Sequence, residues 1–408
     1  MTAFELLPDL AARSLGGGVV FANDELFAAA DHLVHDASPV FNRSTFGPKG
    51  QIYDGWESRR RRSPGHDHAI VRLGAPGVVR GVVVDTAFFT GNYPPEVSVE
   101  ACGMAGHPGP DELAGADWVT LVPRSAVAGD SRNPFAVDLP VRFTHVRLTI
   151  YPDGGVARLR VHGEPVPDPR LLPGGVIDLA ALEHGGHVTG CSNMFYGSPG
   201  NLLRPGLARV MGEGWETARR RDTGNDWVEV ALAAPGRVVL AELDTTHFKG
   251  NSPGAASLRG TRAGDAAAGR GASGGGASVG GASCGGASCG GASGGGASGG
   301  GASGGDASGG AAAGEGERID LLPRTRLQPD TRHRFPIEAA EEITSVRMDI
   351  YPDGGMARLR LWGLLGPAAA EQLTRRWLDV LPTTDAARVL GGRSVEALVA
   401  EVLRGWGR

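Results

Sequence analysis

The residues of this chain that could do chemistry come in two sets, in nearly the same order. The first runs Glu57, Arg59, Arg60, Arg61, Arg62, His66, Asp85, Thr86 and Asn92; the second runs Glu216, Arg219, Arg220, Arg221, Asp244, Thr245, His247, Lys249 and Asn251. Clustered guanidinium groups suit a carboxylate, because their planar fork donates two parallel hydrogen bonds to it. Asp85, Asp244, His66, His247, Glu57 and Glu216 are the candidate proton carriers. Arg59, Arg60, Arg61, Arg219, Arg220, Thr86, Asn92, Thr245, Lys249 and Asn251 are the candidate binding groups. The chain has no HExxH and no paired His at ligand spacing, and Cys102 and Cys191 stand alone, so neither a metal nor a cofactor is expected.

Each candidate has a plainer reading. A run of arginines is often a solvated face, here with Glu57 and Asp54 as partners. Glu57 and Glu216 could orient the arginines rather than touch a ligand. Asp85-Thr86 and Asp244-Thr245 end apolar strands, where they could line a mouth or cap their own loops. His66 precedes Asp67, but adjacency in sequence does not bring two side chains together. Trp56 and Trp215 read as core anchors. Asp153 and Asp353 sit in Pro-Asp-Gly-Gly and read as turn residues. Arg158 and Arg358 could bond loop carbonyls or bind an anion.

The order of the two sets is that of an internal repeat. Asp54-Gly55-Trp56-Glu57-Ser58-Arg59-Arg60-Arg61-Arg62 returns as Glu213-Gly214-Trp215-Glu216-Thr217-Ala218-Arg219-Arg220-Arg221, an offset of 159 residues from Trp56 to Trp215. Ile150 to Gly155 returns unchanged at Ile350 to Gly355, an offset of 200. Between them lies a run of Gly/Ala/Ser pentads, which cannot bury enough apolar surface to offset its ordering entropy. It is expected to be a disordered insert over about 254–316. The chain thus divides into one repeat over 1–170, a second over 171–365 carrying the insert, and a tail over 366–408.

The elements that must position these residues are mostly strands. Ala69-Ile70-Val71-Arg72-Leu73, Glu96 to Glu100 and Val146 to Ile150 alternate apolar and polar, and Asp153-Gly154-Gly155 marks a hairpin. Asn23 to Leu33 reads as a helix. In the tail, Ala368 to Leu381 and Thr384 to Trp406 have helical spacing. The fold class expected is all-β, with two tandem β-sandwiches and a short helical tail. Acidic residues (45) slightly outnumber basic ones (40), giving a formal charge of -5, so neither nucleic acid nor an anionic membrane is the expected partner. The N-terminal segment lacks the pattern of a secretory signal, and a cytoplasmic protein is expected.

The strings Asp54 to Arg62, Ala69 to Gly74, Gly77 to Gly81 and Val84-Asp85-Thr86-Ala87-Phe88-Phe89-Thr90-Gly91-Asn92-Tyr93-Pro94-Pro95 resemble the allantoicase family. In the second repeat, Met211 to Thr217 and Asp244-Thr245-Thr246-His247-Phe248-Lys249-Gly250-Asn251 resemble the family's other half. The likeness runs from Val19 to Gly363 outside the insert. His68 stands where the family usually has Trp, whereas Asp226-Trp227 keeps that pattern. The resemblance implies two jelly-roll sandwiches akin to galactose-binding domains, hydrolysis of allantoate to ureidoglycolate and urea, and assembly into homo-oligomers. On that reading the arginines hold the substrate carboxylate while Asp, Glu or His assists urea departure and water addition. The other readings are a sugar-binding jelly-roll module and a catalytically decayed relative.

Overall fold

A computed structural model describes residues 2–172, 175–263 and 318–406. Each repeat is a jelly-roll sandwich organised around one 19-residue strand, Asp67–Asp85 in the first and Asp226–Asp244 in the second. The strand serves both layers. Its first half pairs with Gly18–Ala22 and with Arg142–Tyr151, which carries the layer on to Glu96–Cys102 and Val119–Ala126. Its second half pairs with Arg158–Pro165 and Arg132–Ala136. The second repeat repeats this pattern.

The switch between layers falls at a register break between Arg72 and Gly77, across Gly74-Ala75-Pro76-Gly77. Proline has no N–H to give a ladder, so it suits such a corner. Gly77 is required by close approach: a Cβ there would lie 2.1 Å from the Glu164 carbonyl oxygen. The second repeat turns the same corner at Ala233-Ala234-Pro235-Gly236. Alternating strand residues fill the interior, and Trp56 and Trp215 are both fully buried.

Three sequence expectations change. Asn23 to Leu33 is not a helix but a loop ending in one 3-10 turn, Ala30–Val34. Side chains and a neighbouring strand take its backbone donors: Asp24 Oδ1 accepts from Leu26 N–H (3.1 Å), Glu25 Oε2 from Ala30 N–H (3.0 Å), and the Glu57 carbonyl from Phe27 and Ala28. Ala255–Arg262, assigned to the insert, is a strand paired with Arg318–Arg326 on one side and Ile343–Tyr351 on the other. The remaining Gly/Ala/Ser tract lies outside the described residues. The helix expected from Thr384 to Trp406 is two, Thr383–Leu390 and Val395–Trp406, separated where Gly391 and Gly392 take φ of 54° and 79°.

The tail packs on both repeats. Trp377 and Leu398 cover Val78 and Val166 of the first, while Ala369 and Leu373 cover Leu172 and Ala234 near the second.

Candidate active site

In the first repeat, Asn23, Asp24, Phe27, Arg59 to Arg62, Ser63 and Asp67 line an open cleft of about 650 Å³. It is assembled from the loop after Gly18–Ala22 and the arginine loop that follows the two-residue strand Trp56–Glu57. Three anchors shape the arginine loop. The Trp56 indole donates to the Asp24 carbonyl (2.7 Å), Arg59 N–H donates to Asp24 Oδ1 (2.8 Å), and Arg61 N–H donates to Asp153 Oδ2 (2.8 Å). Asp153 is therefore more than a turn residue, since it ties the hairpin at Gly154 to the arginine loop. Asp353 does the same for Arg220 (2.9 Å).

The four arginines are not equivalent. Arg61 is committed to the scaffold: its Nη1 donates to Asp67 Oδ1 (2.5 Å), and Asp67 is fully buried, with Asn23 Nδ2 donating to the same oxygen (3.0 Å). Arg59 donates through Nε to Asp24 Oδ2, while no hydrogen bond leaves its Nη1 or Nη2 among the described residues. Burial pushes the Asp24 carboxyl up, but hydrogen bonds from the Arg59 and Leu26 N–H groups and from the Arg59 guanidinium outweigh it and leave it below the usual carboxylate range. Arg60 and Arg62 are exposed and make no ion pair or hydrogen bond among the described residues. The cleft thus presents unspent guanidinium donors beside fixed carboxylates.

Glu57 and Asn92 come together, with Asn92 Nδ2 donating to Glu57 Oε1 (2.7 Å); Asn251 donates likewise to Glu216 Oε1 (2.5 Å). Burial pushes the Glu57 carboxyl up, and the bond from Asn92 only partly opposes it. A carboxyl so placed holds its proton to a higher pH than a free one does.

Glu57 and Asn92 do not line the cleft, although Glu57 stands two residues before Arg59, and the remaining candidates also lie outside it. Asp85 Oδ1 accepts from Ala87 N–H (2.9 Å), and Asp244 Oδ1 from Thr246 N–H (2.8 Å) and Thr246 Oγ1 (2.5 Å), so both cap their own loops. Thr86 and Thr245 are fully buried and spend their hydroxyls on the carbonyls of Ala128 and Ser131, and of Gln328 and Thr331. His66 is exposed, its ring 5.3 Å from that of Tyr151 and tilted by 55°, and it forms no pair with the inward-facing Asp67. His247 bonds the Ala208 carbonyl (3.0 Å), and Lys249 lies 3.8 Å from Asp330. Arg158 is buried and bonds the carbonyls of Ala37, Asp54 and Ala157 together with Asp54 Oδ2. Arg358 bonds the carbonyls of Gly206, Glu213 and Ala357, so these two arginines brace loops. His32, His35 and Asp54 offer three ligand atoms within 4.8 Å of one another, but Asp54 is already engaged by Arg158, Val40 N–H and His32.

Sequence reasoning missed Asn23, Asp24 and Asp67 as partners of the arginines. Asp67 carried a signal, since it returns as Asp226 and there accepts from Arg220 Nη1 (2.8 Å). Asp24 carried none, because its counterpart is Asn193.

A duplicated jelly-roll with a charged cleft at the loop end of its first copy defines the class, a tandem-sandwich protein. The allantoicase repeat model matches residues 8–166 and again 177–365. A protein of Nocardia farcinica named "Probable allantoicase" is 51% identical over 366 residues, covering 89% of this chain and 96% of that one. A protein of the same name from Streptomyces avermitilis is 44% identical, covering 92% and 90%. The crystal structure of allantoicase from Saccharomyces cerevisiae superposes with a TM-score of 0.65 at 29% identity, covering 87% of this chain and 92% of that one. The chain belongs to the allantoicase family.

Proposed function

We propose that this chain is a hydrolase that converts allantoate and water to ureidoglycolate and urea, and that it binds the substrate carboxylate in the arginine cleft of the first repeat. The observation carrying the reading is the family match through both repeats, joined to a cleft whose Arg59, Arg60 and Arg62 keep free donors. Allantoate carries one carboxylate and two ureido groups on a single carbon. Guanidinium groups hold the carboxylate. The reaction breaks one C–N bond and forms one C–O bond: a proton goes to the departing urea nitrogen and the oxygen of water to the carbon. Glu57, raised by burial and held by Asn92, is the group we assign to that proton transfer.

Buried Trp56 and Trp215 oppose a sugar-binding module, whereas the exposed loop aromatics Phe27, Phe195 and Tyr196 favour one; the family match through both repeats decides for the hydrolase. Assembly into homo-oligomers and a cytoplasmic location belong to the same proposal; among the described residues no helix is long and apolar enough to cross a membrane. The test is urea release from allantoate by the purified chain. Arg60→Ala is expected to raise KM by about tenfold without changing the thermal midpoint. A folded chain that releases no urea sinks the reading.

A further inference from the structure

The duplication contains its own control experiment. In both repeats the loop ahead of the Trp-Glu strand is locked by one side-chain oxygen. Asp24 Oδ1 accepts from the N–H groups of Leu26 (3.1 Å) and Arg59 (2.8 Å); Asn193 Oδ1 accepts from those of Phe195 (3.0 Å) and Ala218 (3.0 Å). Each residue also gives its backbone carbonyl to the indole of the buried tryptophan, at 2.7 Å for Trp56 and 2.8 Å for Trp215. A neutral amide oxygen is thus sufficient for the lock.

What Asp24 adds over Asn193 is a second oxygen and a negative charge, and both go to Arg59 Nε. Position 218 holds alanine, so the second repeat has nothing for such a charge to grip. Stability accounts for little of the pair: the Asp24 side chain is 10% exposed, but that of Arg59 is 63% exposed, so solvent screens the interaction. Arginine loses substantial rotamer freedom on binding a ligand, and fixing it beforehand removes that cost from the binding step. Nε is the nitrogen that Asp24 takes, which leaves the two terminal nitrogens to face a carboxylate.

We propose that Asp24 is a positioning residue that holds the Arg59 guanidinium over the cleft for the substrate carboxylate, and that this clamp is confined to the first repeat, so that each chain binds one allantoate there. The inference rests on the arginine-cleft reading given under Proposed function. Arg61 and Arg220 do not distinguish the repeats, since both are spent on buried aspartates. The Asp24–Arg59 pair does.

The full chain with Asp24→Asn tests this, because asparagine already closes the same loop in the second repeat. The expected result is a KM for allantoate raised about tenfold, kcat within about threefold of wild type, and an unchanged thermal midpoint. Arg59→Ala should do at least as much, and the Asp24→Asn/Arg59→Ala pair no more than Arg59→Ala alone, since the carboxylate acts through the guanidinium. The mirror change Asn193→Asp should leave KM within about twofold. Should Asp24→Asn fold poorly, Arg59→Lys with Asp24 intact gives the same readout, because an ammonium lacks the second donor pair and KM should still rise. An unchanged KM in Asp24→Asn and Arg59→Ala, additive effects in the pair, or an equal rise in Asn193→Asp overturns the inference while wild-type turnover stands. A wild-type chain that releases no urea overturns the functional reading and this inference with it.

Discussion

Replacing Arg61 by alanine separates the arginine that builds the cleft from those that serve it. Asp67 is fully buried, and its Oδ1 takes Arg61 Nη1 at 2.5 Å and Asn23 Nδ2 at 3.0 Å. Its Oδ2 is buried with no hydrogen-bond partner among the described residues. Removing one member of a buried ion pair costs about 3–5 kcal/mol, because the other charge is left desolvated. Here Arg61 is 25% exposed and Asn23 keeps its bond, so solvent and the amide recover part of that. The expected loss is about 2–3 kcal/mol. Guanidinium chloride unfolding followed by tryptophan fluorescence, to which buried Trp56 contributes, measures it and avoids urea, the proposed product. Arg61→Ala/Asp67→Asn should recover roughly half of the loss, since the orphaned charge is gone. A loss below about 1 kcal/mol, or a double variant no more stable than Arg61→Ala, would refute the assignment of Arg61 to the scaffold.

Two further outcomes follow from the ionisation of buried groups. Glu57→Gln keeps an amide oxygen for Asn92 and removes a carboxyl that burial holds above its ordinary value; such a carboxyl costs stability when ionised and is relieved as pH falls. The variant should therefore melt above wild type at pH 7–8, with the gap closing toward pH 4, while kcat drops by about 10²- to 10⁴-fold, as thermal scans and urea release will show. His145 is 1% exposed, and burial, with Arg72 adding to it, pushes its imidazole down to about 4. The native chain then binds fewer protons than the unfolded one, so stability is full above pH 6.5 and falls as pH drops toward 4, by up to about 3 kcal/mol. Unfolding of His145→Gln across that range should show a flatter slope than wild type.

The repeat, the hairpins at Asp153 and Asp353 and the two tryptophan anchors were legible because each is set locally, by periodicity or by glycine in a turn. The arginine loop was legible as a set of charges but not as a geometry. Which guanidinium is spent depends on Asp24 and Asp153, which lie 35 and 92 residues away along the chain. The apparent helix at Asn23 failed because Asp24 and Glu25 captured its backbone donors. The strand Ala255–Arg262 was hidden by its Ala, Ser and Gly content; neighbours on both sides hold it in the ladder despite poor strand propensity. Asp85 and Asp244 sat where a mouth residue would sit, and the structure gives them the capping role that aspartate takes after a strand.

The seating of the last helices across both sandwiches bears on how the molecule is made. Val78 and Val166 emerge from the ribosome long before Trp377 and Leu398, which cover them, have been translated. The nascent first half therefore carries a sticky patch through most of synthesis, and a chain interrupted before its closing helices would show that patch to chaperones and proteases.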